Sequence, residues 1–172
     1  RLNPDGTLDN SYNAGSGFDG GVNVVRVLPD GRSLVAGSFH AFNGANCPPL
    51  LLFNADGTLA PSPGALTSLE TVYDVQVQLG SQFVVAGTFS TANGAPRRFL
   101  ARIGANGSLD PVFVPPEPDS GLNAVAVLGN GSILAGGGFS TVGGVSQQAI
   151  ARFHGTTGAL EPSFAGARDV GT

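Results

Sequence analysis

The sequence predicts an all-β chain built of propeller-like blades, each of four short antiparallel strands. Three observations point there: a long internal period, tight-turn residues at fixed places within it, and valines at two-residue spacing. The segment LVAGSF at 34–39 returns as VVAGTF at 84–89 and LAGGGF at 134–139, which sets Gly37, Gly87 and Gly137 fifty residues apart. A second motif occurs four times: RLNPDGTLD from Arg1, LFNADGTLA from Leu52, RIGANGSLD from Arg102, and RFHGTTGALE from Arg152 with one inserted residue. The chain therefore divides into a half-unit (1–13), three units (14–64, 65–114 and 115–165) and a tail (166–172).

The first strand of each unit is carried by VNVVRVL, VYDVQVQL or LNAVAVL, where Val25/Val27, Val75/Val77 and Val125/Val127 alternate as a strand with one buried face requires. Turns follow at Pro29-Asp30-Gly31, Gly80-Ser81 and Gly129-Asn130-Gly131, residue types suited to tight hairpins. The second strand is apolar at consecutive positions, so both of its faces are expected to be covered. The glycine at its centre predicts close approach of a neighbouring backbone or ring. The third strand carries 50–53, 99–103 or 149–153 and turns at Ala55-Asp56-Gly57, Ala105-Asn106-Gly107 or the looser Thr156-Thr157-Gly158, as the half-unit does at Pro4-Asp5-Gly6. The fourth is short and is expected to end near Tyr12, Pro63, Pro111-Val112-Phe113 or Pro162-Ser163-Phe164. No segment offers helical periodicity bounded by caps.

Repeated four-stranded units with both sheet faces covered are the pattern of a β-propeller. A β-trefoil is the alternative, although a leading half-unit fits it poorly, and a stacked β-solenoid ranks third because its coils are shorter. Propellers close with roughly four to eight blades. Three and a half units therefore call for self-association, further blades or capped edges, and the part-unit at each end points to something missing.

Composition narrows the function classes. The chain has 27 Gly and 12 Pro, yet 41% of its residues are hydrophobic, so it can bury a core. Its eight basic residues are all Arg and face 12 acids, for a net charge of −4. Without a cationic cluster, nucleic acid is not an expected partner. No apolar run reaches the roughly 20 residues of a membrane helix, and the opening polar turn at Arg1 does not read as a signal peptide. The absence of an initiator Met suggests a processed or excised piece. Cys47 stands alone, which excludes an intrachain disulfide and a cysteine metal site, and a cysteine nucleophile would have to find its base in His40 or His154.

The joint pattern RLNPDGTLD, V-x-V, LVAGSF, NG and ARI/ARF resembles the delta-60 repeat, a bacterial repeat of predicted β-propellers without an established activity, and the resemblance covers nearly the whole chain. Unit one departs from it, with Leu52 in place of Arg and Ala60 in place of the acid. The resemblance implies a propeller fold and an extracellular or cell-surface setting in bacteria. It implies no cofactor.

Within the repeat, Arg1 goes with Asp9, Arg102 with Asp110 and Arg152 with Glu161, whereas Leu52 goes with Ala60, so charge and countercharge disappear together. Across a hairpin these positions face each other, which predicts a structural ion pair in each charged copy. Asn3, Asp5, Thr7 and Asp9 alternate as oxygen ligands of Ca²⁺ do, but the set does not recur in the copies while the turn glycine does, so turn chemistry is the better reading and no metal is expected. Glu70, Asp74, Glu117 and Asp119 could supply a carboxylate pair for glycoside hydrolysis; solvated loop acids are the plainer reading. A binding surface is to be sought where the copies differ, in the loops 40–49, 90–98 and 140–148 and in the connections into the first strand, NAGSGFDGGVN, PSPGALTSLETVYD and VPPEPDSGLNA. There His40, Phe42, Tyr73, Arg97 and Arg98 are the candidates, with His40, Phe42 and Tyr73 able to stack on a sugar ring or a side chain. For Phe42 the plainer reading is preferred, packing between blades as Ala92 and Val142 would. The function expected is a non-catalytic propeller module of a secreted or surface protein, a scaffold or a recognition surface for protein or glycan. The alternative is a portion of a propeller enzyme acting on polysaccharide.

Overall fold

The computed structural model describes residues 1–12, 15–61, 70–78 and 82–161. The turn at Gly80-Ser81, the strand ends at Pro63 and 162–164, the tail, and the unit boundaries at 13/14, 64/65 and 165/166 lie outside the described residues. Among the described residues every regular element is a strand. Unit one contains β1 (Val22–Val27), β2 (Ser33–Gly37), β3 (Ala41–Phe42), β4 (Ala45–Asn46) and β5 (Leu50–Phe53). Unit two repeats the order with β6 (Val72–Gln78), β7 (Gln82–Gly87), β8 (Thr91–Ala92), β9 (Ala95–Pro96) and β10 (Leu100–Ile103). Unit three has β11 (Leu122–Val127), β12 (Ile133–Gly137), β13 (Thr141–Val142), β14 (Val145–Ser146) and β15 (Ile150–Phe153).

Each unit makes its own antiparallel sheet, in the orders β1-β2-β5, β6-β7-β10 and β11-β12-β15, and no strand is shared between units. That is the construction of propeller blades. The fourth strand shrinks to one bridge per copy: Leu2 with Leu8, Phe53 with Leu59, Ile103 with Leu109 and Phe153 with Leu160. The cause is local. Asp110 N–H still donates to the Arg102 carbonyl at 2.9 Å, but its carboxylate then accepts Val112 N–H at 2.8 Å and, with Pro111 following, bends the chain out of the ladder.

The loop after the second strand is a hairpin. β3 pairs with β4, β8 with β9 and β13 with β14. Both residues of each turn have positive φ: 51° and 78° at Asn43-Gly44, 48° and 73° at Asn93-Gly94, 57° and 79° at Gly143-Gly144. This is the turn geometry that NG and GG sequences favour. The mid-strand glycines also have a cause. A Cβ at Gly37, Gly87 or Gly137 would collide with the carbonyl of Gly21, Thr71 or Gly121, where the register of the first strand shifts by a bulge.

Blades stack by two distinct faces. The trailing face of unit one, with Leu34, Ala36, Leu50 and Leu52, packs on the leading face of unit two, with Val75, Phe83, Val85 and Ile103. Unit two repeats this with Val84, Ala86 and Leu100 against Val125, Ile133, Ala135 and Phe153 of unit three. The leading face of unit one holds Val35, Phe39, Phe42, Leu51 and Phe53, with Phe18 laid over them. The first strands depart from the alternation read from their valines: Val75 and Val125 are buried while Val25 is exposed, because only in units two and three does a preceding blade cover this position, and Val27 and Val77, two residues further on, are exposed.

Candidate functional site

The arginines of the repeated hairpin do more than pair across it. Arg102 rises from β10, where Asp110 N–H bonds its carbonyl, so the two side chains lie side by side and the guanidinium meets Asp110 at 2.9 Å. It then reaches the turn of the next blade, donating to the carbonyls of Gly155 and, at 2.7 Å, Thr156, and to Gln78 Oε1 at 3.1 Å, while the Phe113 ring lies 4.8 Å away. Its side chain is 5% exposed. Such a site suits Arg, whose five donors form a planar fork. Arg1 does the same at the front of the chain: 2.6 Å to Asp9, 2.7 Å to the carbonyl of Ala55 in unit one, and 5.2 Å to the Tyr12 ring. Arg152 stands 2.5 Å from Glu161. Leu52 and Ala60 occupy the same places in unit one and are buried in the apolar junction.

A second device joins the first strands. Arg26 donates to the Val75 carbonyl at 2.9 Å and pairs with Asp74 at 2.8 Å, and Asp74 accepts Val125 N–H at 3.1 Å, so one relay crosses three blades. The sequence reading missed this relay. Its signal was a lone charge, Arg26 or Asp74, set among the alternating valines of a first strand.

The loop acids are anchors. Asp19 accepts the N–H groups of His40 and Ala41, both at 2.8 Å. Glu70 accepts Ser90 N–H at 2.8 Å and its hydroxyl at 2.5 Å. Asp119 accepts Ser140 N–H at 2.8 Å and its hydroxyl at 2.6 Å. These bonds, the Ser140 hydroxyl first, lower the Asp119 carboxyl to about 2, and the Ser11 hydroxyl followed by Arg1 lowers Asp9 to about 2. In Asp110, desolvation is the largest single influence and acts upward, but Val112 N–H and the Arg102 charge together hold the carboxyl below its ordinary value. Glu117 lies 3.9 Å from Arg98. In the NPDGTLD turn, Asp5 accepts the Thr7 N–H at 2.9 Å and its hydroxyl at 2.7 Å, and Asp56 does the same for Thr58 at 2.9 and 2.6 Å.

The five loop candidates do not converge. Phe42 is a correction: it is 7% exposed, with ring centroids 5.0 Å from Phe18 and 5.1 Å from Phe53, because β3 turns it inward at the position where Ala92 and Val142 are also buried. His40 is exposed, and Tyr73 is 39% exposed on β6. Arg97 is half-buried and donates to the Pro96 carbonyl at 2.7 Å, and Arg98 lies 4.9 Å over the Phe99 ring. Partial burial raises the Cys47 thiol, with Asp19 adding to the effect, which disfavours the thiolate that a nucleophile needs.

At the end of the blades where the hairpin turns gather, a cavity of about 990 Å³ opens. Leu28, Val77 and Val127 line it beside Arg32, Gln78 and Gln82, with Arg102 and Asp110 also on its wall. Its polar groups are engaged: Gln82 donates to Asp110 at 3.0 Å, Gln78 to the Gly155 carbonyl at 3.1 Å, and Arg32 holds Asp30 at 2.8 Å. None of the five loop candidates lines it.

Separate single-unit sheets, stacked face on face and tied through Arg and turn carbonyls, define a β-propeller repeat protein. Residues 1–12, 28–62, 83–113 and 128–164, more than half of the chain, match the family described as a β-propeller domain of unknown function (DUF5122), and the chain belongs to that family. The matched segments include the LVAGSF strand and the hairpin of each unit and omit the described first strands. No curated protein and no solved structure matched the chain.

Proposed function

We propose that the chain is a non-catalytic propeller module of the delta-60 type, belonging to a secreted or surface bacterial protein and acting as a scaffold or as a recognition surface for protein or glycan. One observation carries this reading: side chains that could have done chemistry are engaged in tying blades together or anchoring loops within a blade. Arg1 and Arg102 tie one unit to the next, and Glu70, Asp74 and Asp119 each accept backbone N–H groups or pair with Arg. The Asp119 carboxyl, lowered to about 2, is a poor proton donor near neutral pH, whereas glycoside hydrolysis needs one acid of raised pKa. What differs between units is the surface of the β3/β4-type hairpins, where recognition is best sought. A glycan array and a polysaccharide hydrolysis panel run on one preparation test the reading. No release of reducing ends is expected, and release that Glu70→Gln or Asp119→Asn abolishes would replace it with the enzyme.

A further inference from the structure

Two Asn-x-Ser/Thr triplets stand in the sequence, Asn106-Gly107-Ser108 and Asn130-Gly131-Ser132, the acceptor pattern for sugar transfer to an asparagine amide. Both asparagines are exposed at hairpin turns, and the structure separates them. Asn106 Oδ1 accepts Ser108 N–H at 3.0 Å and the Ser108 hydroxyl at 2.7 Å, which leaves Nδ2 without a partner among the described residues. The turn is fixed from behind: Gly107 has a φ of 82°, its N–H bonds the Gly104 carbonyl at 2.9 Å, and its own carbonyl accepts Asn93 Nδ2 at 3.1 Å. In the other triplet, Asn130 Oδ1 accepts Ser132 N–H at 3.0 Å, but Ser132 is buried and its hydroxyl turns to Glu161 at 3.3 Å instead. The equivalent turns of the half-unit and unit one carry Asp5 and Asp56, with the same pair of bonds from Thr7 and Thr58. The repeat thus uses one side-chain oxygen at this place, and only in unit two is the other group an amide nitrogen.

We propose that Asn106 is a glycosylation site, modified by a transferase that uses a sugar activated on a diphosphate. An amide nitrogen is a weak nucleophile because its lone pair is shared with the carbonyl. Two donors on Oδ1 draw electron density to that oxygen and make the Nδ2 protons easier to lose. In the transfer, Nδ2 attacks the anomeric carbon, and the new C–N bond forms as the C–O bond to the diphosphate breaks. The diphosphate leaves with the electron pair, and one Nδ2 proton passes to a base of the transferase. Asn106 is exposed at the tip of its turn, so a bulky sugar there meets solvent. Asn130 lacks the hydroxyl half of this arrangement, and Asn43-Gly44 and Asn93-Gly94 are followed by Ala45 and Ala95 where the hydroxyl is needed. The site rests on the reading of the chain as part of an exported protein.

Glycopeptide mapping by mass spectrometry, on the protein isolated from the organism that makes it, tests the site. The peptide with Asn106 is expected to carry sugar and the peptide with Asn130 to be bare. The mass added distinguishes the donor: an oligosaccharide comes from a lipid diphosphate and a single sugar from a nucleoside diphosphate, and either meets the proposal. Expressed in the same organism, Asn106→Asp and Ser108→Ala are each expected to lose the sugar, whereas Ser108→Thr retains it. Asn106→Asp spares the fold, since Asp56 makes both bonds in the same turn of unit one. A bare Asn106, sugar at Asn130 in its place, or sugar that survives Ser108→Ala overturns the proposal. The cell fraction is read on the same sample. A chain found only in the cytoplasm overturns the export reading, while an exported chain with a bare Asn106 overturns the site and leaves that reading standing.

Discussion

The junction between units one and two and the junction between units two and three have the same architecture and differ at its rim. In the first, Leu52 and Ala60 continue the apolar contact. In the second, Arg102 and Asp110 stand there instead, and the guanidinium bonds two carbonyls of the neighbouring turn. Both rims are buried and both junctions form. The stacking therefore comes from apolar area common to the two, and the ion pair adds direction, a set of donors that only a correctly placed turn can satisfy. This fits the energetics of buried ion pairs, whose attraction is offset by desolvation and which apolar residues replace at little loss.

Removing what the junctions share should have the largest effect. Phe83→Ala in the first and Phe153→Ala in the second are each expected to lower stability by about 3–5 kcal/mol, measured by urea denaturation. A small loss at one junction alone would show that the two are not equivalent. Next comes the rim: Arg102→Ala takes the cation from Asp110, which keeps Gln82 and Val112 N–H, and a donor from two carbonyls, and a loss of about 2–3 kcal/mol is expected. The paired change Arg102→Leu with Asp110→Ala imitates the first junction and should lose less than the single change, about 1.5 kcal/mol or below. If the double variant is the weaker of the two, the apolar rim is no substitute and the comparison fails.

The smallest effect concerns the anchors that both halves of the chain use. Asp9 and Asp119 titrate at about 2 in the folded chain against an ordinary 3.8, so they bind protons less readily folded than unfolded. Their contribution is present above 3.8 and is lost as pH falls towards about 2. The melting temperature should drop across that window, and Ser140→Ala should flatten the drop by removing the hydroxyl that Asp119 accepts. A melting profile unchanged down to about pH 2 would mean that these anchors do not stabilise the fold.

Much of this was readable because it is local or periodic. The turns at Asp5-Gly6, Asn43-Gly44 and Asn106-Gly107 follow from residues that accept positive φ, and the pairing of Arg102 with Asp110 follows from their places across one hairpin. Phe42 takes the packing role preferred for it over stacking on a ligand, because the loop that carries it is a hairpin, and the hairpin turns alternate residues inward. The fourth strand was overread. Asp110 uses its carboxylate to cap its own turn, and that competition with the ladder is not visible in an apolar pattern.

The sequence by itself determined the all-β class, the period of the blades, the turn positions and which charges go together, because each depends on residues within one hairpin or on the fifty-residue repetition itself. Only the tertiary structure decided where the free side of each guanidinium goes, that Arg26 and Asp74 form a relay through three first strands, and that the loop acids are anchors. The contacts between units join residues about fifty positions apart, brought together by stacking one sheet on the next, and the loop anchors join residues about twenty apart within one unit. A pattern read along one strand carries no record of what lies across the face of its neighbour.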